Sequence, residues 1–311
     1  MGEATVSFKR KVIQYALLSF VCGVCFDHFL IPRQIKQHGS TPSAMERKDE
    51  EKHDSSSTTD EDDFALASND SFGFFDDIPS KDWEWKRDLA RNTKHQLIPS
   101  KEAKAIENLD EVGRWYTNNW HPYFTCPQEQ LIGTVGDGHK YVCDPHRLKK
   151  LDDCLVYSVG SDGEFSFEDA LYALAPNCEI HIFDFGDYAE IMKKDFPNLK
   201  ATLHPFGMAG SGKHPSNVKS MQEILARLGH EGRRIDILKV DCEGCEWDSY
   251  TDWLEVPNQI SQVFVESHRV RTKFFQDMYD AGYVLFHKEP NTQWKGGCEW
   301  AYLKLARSFL Q

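Results

Sequence analysis

The stretch IDILKVDCEGCEW, Ile235 to Trp247, decides how this chain is read. It carries a largely apolar run, Ile235 to Val240, straight into a glycine turn that bears two acids, Asp241 and Glu243. In an open α/β sheet the ligand crevice lies outside the carboxyl ends of the strands, so acidic groups that directly follow a buried strand are placed to meet a ligand. An isolated D-x-E-G is more often a helix cap beside a solvated glutamate. Here the flanking sequence supplies the context.

Working outward, strands and helices alternate. CLVYSVG (Cys154 to Gly160), CEIHIFDF (Cys178 to Phe185), Leu199 to Phe206, IDILKV and QVFVESH (Gln262 to His268) read as five strands. Helical spacing separates them, near Ser166–Ala175, Tyr188–Phe196, Val218–Leu228, Glu246–Glu255 and Val270–Ala281. Such alternation implies right-handed crossovers and a mainly parallel sheet covered on both faces. Two final strands, YVLFHKE and EWAYLKL, have only the turn-rich PNTQWKGG between them. That connection suits an antiparallel hairpin. The expected fold is α/β and Rossmann-like, with a mainly parallel seven-stranded sheet ending in a C-terminal antiparallel hairpin.

Three further segments carry chemistry. VGSDGEFSFE (Val159 to Glu168) fills the first strand-to-helix turn, where Gly160 and Gly163 let the backbone approach a ligand and a helix amino terminus offers free N–H donors. Asp162 puts negative charge in that turn, which suits a cationic or zwitterionic cofactor better than a pyrophosphate. Asp184 closes the second strand, where a carboxylate can accept from both ribose hydroxyls of a nucleoside; Asp187 is the nearby competitor and the better helix cap. On the fifth strand Glu266 and His268 share a face, and His268 is the candidate general base. Asp241, Glu243, Glu266 and His268 converge on one sheet edge and could together hold a divalent cation, but the sequence alone assigns no metal site.

The amino terminus has a different character. Lys9, Arg10 and Lys11 precede an apolar run, Val12 to Ile31, interrupted by Asp27 and His28. Residues 1–31 therefore read as a signal-anchor with its amino end in the cytoplasm, with a cleaved signal peptide as the alternative. Residues 32–80 are rich in Ser, Thr, Asp, Glu and Lys and are expected to form a disordered acidic stem carrying the sequon Asn69-Asp70-Ser71. Residues 81–311 form the folded domain with a helical lead-in. A net charge of −13 argues against nucleic acid as a partner. Among the cysteines, Cys126 with Cys143 is a plausible bridge, whereas Cys154, Cys178 and Cys242 are expected to pack as small hydrophobes on strands. Cys242 and Cys245 form a C-x-x-C of open redox state, with no second pair to make a zinc ribbon.

Taken in order, VGSDGEFSFE, IFDFGD, IDILKVDCEGCEW and VFVESH resemble the FkbM-type methyltransferase domain, and within it the methyltransferase-like protein 24 group. The segments WYTNNW, HPYFTCPQ and KYVCDP resemble the lead-in of that group. The resemblance implies the class I methyltransferase fold, S-adenosylmethionine as cofactor, and O-methylation of a hydroxyl on a small molecule or glycan. By position, Gly160, Asp162 and Gly163 would line the methionine part, Asp184 the ribose, and Asp241 the methyl-transfer side; Glu243 and His268 are catalytic candidates from the strand-end reading alone. The family turn is usually D-x-G-A-N-x-G; here Ser158 replaces its Asp, and Ser161-Asp162 its Ala-Asn. The expected setting is a single-pass membrane protein facing the ER or Golgi lumen, or a secreted one. Two other readings remain: a catalytically silent fold serving as a binding module, and a lumenal glycosyltransferase, which lacks a D-x-D after any strand of the body.

Overall fold

The computed structural model describes residues 63–93, 103–136, 138–257 and 259–311. The signal-anchor segment 1–31 and the stem up to residue 62 lie outside them. No helix among the described residues is long and apolar enough to cross a membrane.

The stem expectation fails at its carboxyl end. Helix α1 (Ala65–Asp70) and helix α2 (Ser80–Asn92) belong to the fold, because Ala67, Phe75 and Trp83 are fully buried. Trp83 donates its indole N–H to Asp70 (2.9 Å) and packs with Phe75, Phe124 and Phe309, so a few large aromatics hold this segment to the fold. The sequon lies on this helix end: Asn69 is exposed, while Ser71 is buried and caps the backbone around Ala67 and Phe75. Helix α3 (Leu109–Asn118) follows, its first turn capped by Asn108. A short hairpin pairs Glu129–Ile132 with Lys140–Cys143.

The body is the expected alternation: β1 (Leu155–Val159), α4 (Ser166–Leu174), β2 (Glu179–Phe183), α5 (Ala189–Asp195), β3 (Ala201–His204), α6 (Met221–Leu228), β4 (Ile235–Val240), α7 (Cys245–Glu255), β5 (Ile260–His268), α8 (Thr272–Asp280), β6 (Tyr283–Pro290) and β7 (Gly297–Lys304). The strands lie in the order β6-β7-β5-β4-β1-β2-β3. Strands β1 to β5 pair in parallel, and β7 runs antiparallel between β5 and β6. Every residue of β1 and β4 is buried, as expected of central strands covered by helices on both faces. Helix α6 starts at a Ser220–Glu223 capping box and ends at Gly229 in the left-handed region (φ 69°), which shortens the expected helix by three residues at its start. Asp187 does not cap α5, whose N-cap residue is Tyr188 with no side-chain cap bond.

The chain order reverses between β1 and β4, and there the two strand ends touch. A Cβ on Gly160 (φ 76°) would lie 1.8 Å from the carbonyl oxygen of Asp241, so only glycine fits.

Three disulfides form among the described residues. Cys126–Cys143 is the expected one. Cys154–Cys178 corrects the expectation of two packed thiols: Leu155 and Glu179 are register partners of parallel strands, so the residues just before them stand side by side, with Cα atoms 4.5 Å apart. Cys242 is likewise bridged, to Cys245, across the turn leading into α7. Because Cys154–Cys178 ties β1 to β2 across 24 residues, replacing both cysteines by alanine should cost about 3 kcal/mol of unfolding free energy. Urea denaturation of the double variant checks this, and a midpoint equal to wild type contradicts it.

Candidate active site

A cavity of about 380 Å³ opens at the carboxyl ends of β1, β2 and β4, lined by Gly160, Asp162, Phe183, Asp184, Phe185, Tyr188, Met208, Val218, Asp241 and Glu243, among others. Five of the seven site residues expected from sequence therefore meet around one space. Gly163 and His268 do not line it. Gly163 (φ 82°) lies under the Tyr188 ring, 3.0 Å from where a side chain would begin, and His268 stands behind the Asp241 turn.

Asp184 is buried and buckles the glycine turn. Its Oδ2 accepts from the backbone N–H of Ser161 (2.8 Å) and Asp162 (3.1 Å), and among the described residues Oδ1 accepts only from Gly186 N–H (2.9 Å). A carboxylate oxygen offers two lone-pair sites, so Oδ1 keeps acceptor capacity for a ligand hydroxyl. Next to it Phe185 is 69% exposed, an apolar ring held at the rim of a cavity instead of in the core. With Met208 and Val218 it gives one end of the cavity an apolar wall. Across the turn, the Tyr188 hydroxyl donates to Asp162 (2.6 Å), and that bond, with partial burial, pushes the phenol up to about 12.

The other end is charged. Lys140, from the lead-in hairpin, is buried and donates to Asp241 Oδ2 (3.1 Å) and Glu299 Oε1 (2.8 Å). Glu299 on β7 stands directly opposite Glu266 on β5, a like-charge pairing that is unfavourable unless compensated. Burial raises Asp241, but Lys140 and Lys239 outweigh it and hold its carboxyl below the usual carboxylate range. Burial, with Asp241 and Glu299 alongside, pushes Glu266 up to about 8. Lys239 also reaches the carbonyl of Gly160 (2.9 Å), and Ser158 donates to the fully buried Glu168 (2.5 Å), so polar groups of the central strands support the turn from below.

The glutamates of D-C-E-G-C-E divide their roles differently from the sequence reading. The Glu243 side chain is 87% exposed, at the cavity mouth. Glu246, in the first turn of α7, is fully buried and accepts through Oε1 from His268 backbone N–H (2.8 Å) and Nδ1 (3.1 Å), and through Oε2 from Gly244 N–H (2.9 Å). The signal was present: Glu246 shares an i, i+3, i+4, i+7 stripe with Ser249, Tyr250 and Trp253, all buried. Burial opposes the charge on His268, but Glu246, Glu266 and Glu243 outweigh it and raise the imidazole to about 9. The acids around the ring thus favour its charged form.

Comparison with known proteins places the chain. A family model described as a methyltransferase domain matches residues 65–304. The chain belongs to this methyltransferase family. The match includes α1, which the sequence reading had assigned to the stem. Among solved structures, the precorrin-6y C5,15-methyltransferase of Geobacter metallireducens GS-15 is similar at 13% identity and a TM-score of 0.35, over 51% of this chain and 85% of that one. No curated protein matches.

The buried acids of the methyltransferase domain make its stability depend on pH. Glu266 binds a proton in the fold between its ordinary value and about 8, and His268 does so between its ordinary value and about 9, where the unfolded chain has released both. Stability is therefore full at lower pH and lost as pH rises through those values. The unfolding temperature should fall from pH 6.5 to 9, and Glu266→Gln should flatten the fall. Calorimetry across that range tests it; a slope unchanged in the variant refutes the assignment to Glu266.

Proposed function

We propose that this methyltransferase uses S-adenosylmethionine and transfers its methyl group to a hydroxyl of a small molecule or glycan. The observation that carries the reading is the cavity at the β1/β4 reversal, with an acceptor carboxylate, Asp184, beside an exposed aromatic, Phe185. Asp184 would take the ribose hydroxyls through Oδ1, Phe185, Met208 and Val218 would cover the adenine, and the Gly160 turn with Asp162 and Asp241 would face the charged end. The cavity volume falls within the usual range for cofactor pockets.

The sulfonium supplies an electrophilic methyl group; the protein has to align the acceptor oxygen with it and ease loss of the acceptor proton. Asp241 and Glu243, on the cavity wall, hold the acceptor side. The resemblance to the FkbM-type domain supports an oxygen acceptor. Three disulfides, together with the basic-then-apolar amino terminus, support a lumenal or secreted setting, with anchoring through residues 1–31.

Phe185 is exposed, so its removal leaves the core intact. Phe185→Ala should weaken S-adenosylhomocysteine binding roughly tenfold, the loss expected when a base stacks on an aromatic ring. Asp184→Asn should weaken it more, because it turns one of two acceptor oxygens into a donor facing backbone N–H groups and so loosens the turn. Titration calorimetry of both variants tests the reading, and wild-type affinity in both overturns it.

A further inference from the structure

We infer that Asp241, Glu266 and His268 form a site for a divalent metal ion on the acceptor side of the cavity. One ligand atom from each lies within 4.8 Å of the others, and two of the three residues are buried. Ligands about 2.1 Å from one ion sit roughly 3 to 3.5 Å from each other. His268 Nε2 stands 3.4 Å from a Glu243 oxygen and 3.8 Å from a Glu266 oxygen, close to that spacing and longer than good hydrogen bonds.

The orientation of the histidine is an independent observation. Glu246, itself fully buried, takes Nδ1 and fixes the ring so that Nε2 points at the carboxylates. A carboxylate that holds the far nitrogen of a histidine is the usual support for a metal-binding imidazole. Charge points the same way: three carboxyl groups, Asp241, Glu266 and Glu299, lie near two ammonium groups, Lys239 and Lys140, and Lys140 engages Asp241 only through Oδ2. The methyltransferase has a second Glu/His group, Glu179, His181 and His230, which serves as a contrast. There Tyr157 meets His230 Nδ1 (2.7 Å), His204 meets His181 Nδ1 (2.9 Å) and Arg233 sits on Glu179 (2.7 Å), so protein groups and a fixed cation already fill it.

One imidazole and two carboxylates suit Mn²⁺ or Zn²⁺ better than Mg²⁺ or Ca²⁺. Exposed Glu243 can swing in as a further ligand. An ion there faces the cavity through Asp241. Its consequence for catalysis rests on the activity proposed above: a hydroxyl on the ion loses its proton more readily.

The test is direct binding to the full chain after chelator treatment, titrated with MnCl₂ and followed by electron paramagnetic resonance of free Mn²⁺, with ZnCl₂ followed by calorimetry. One ion per chain is expected, bound at least 100-fold more weakly by His268→Ala and by Glu266→Gln, with the metal raising the unfolding temperature of wild type only. Using two variants keeps the test valid if one fails to fold. No binding of either ion at millimolar concentration, or equal affinity in a folded variant, overturns the site. S-adenosylhomocysteine binding measured in chelator reports on the cofactor reading separately, so each can fail without the other.

Discussion

The site depends on one ammonium group. Lys140 sits at the end of a two-strand hairpin outside the main sheet, yet its Nζ joins Asp241 at the end of β4 to Glu299 on β7. Removing one partner of such a buried pair generally costs about 3 to 5 kcal/mol, because the remaining charge is stranded. Here two carboxylates would lose their hydrogen-bonded cation and keep only the more distant Lys239, with Glu266 opposite one of them across the β5–β7 ladder. The lead-in is therefore part of the site. Its own anchor is the Cys126–Cys143 bridge, three residues beyond Lys140.

A second constraint shapes the cofactor side. Gly160 and the Asp241 carbonyl are so close that the two loops act as one unit, tied by Lys239 from below and by Asp184 from the side. Asp162 (φ 46°) and Glu243 (φ 57°) both adopt the left-handed region that non-glycine residues avoid, one on each loop. Strain of this kind persists only where surrounding contacts over-determine the backbone, and it occurs here on the two loops that frame the cavity.

The architecture was legible because its signals are local. Apolar runs of strand length, helical spacing between them and a turn-rich final loop are enough for the sheet and its closing hairpin. Asp184 and Asp241 were readable because they directly follow buried strands. What escaped depends on contacts distant in sequence. Lys140 is an ordinary lysine until the hairpin folds over β5 and β7, and Cys154 faces Cys178 only once β1 and β2 are in register. Residues 65–80 read as stem because they follow a polar run, although Phe72, Phe74, Phe75 and Ile78 already break that composition and Phe75 and Trp83 anchor the segment. Glu246 was overlooked in favour of Glu243 because the strand-end argument points to the turn, whereas helical geometry buries the residue three places on.

The acidity of the cavity bears on turnover as well as on binding. Asp162, Asp184, Asp241 and Glu243 surround it, and among the described residues no lysine or arginine lines it. Such a wall repels phosphate and attracts a cation, and with apolar surface alongside, water screens the attraction less than it would in solution. Under the proposed activity the bound ligand begins as a sulfonium and ends as a neutral thioether. The electrostatic attraction is therefore strongest before transfer and weaker afterwards, while the contacts to Asp184 and Phe185 are unchanged. Charge then favours exchange of spent cofactor for fresh, and the carboxylates that mark the site in the sequence set the direction of that exchange.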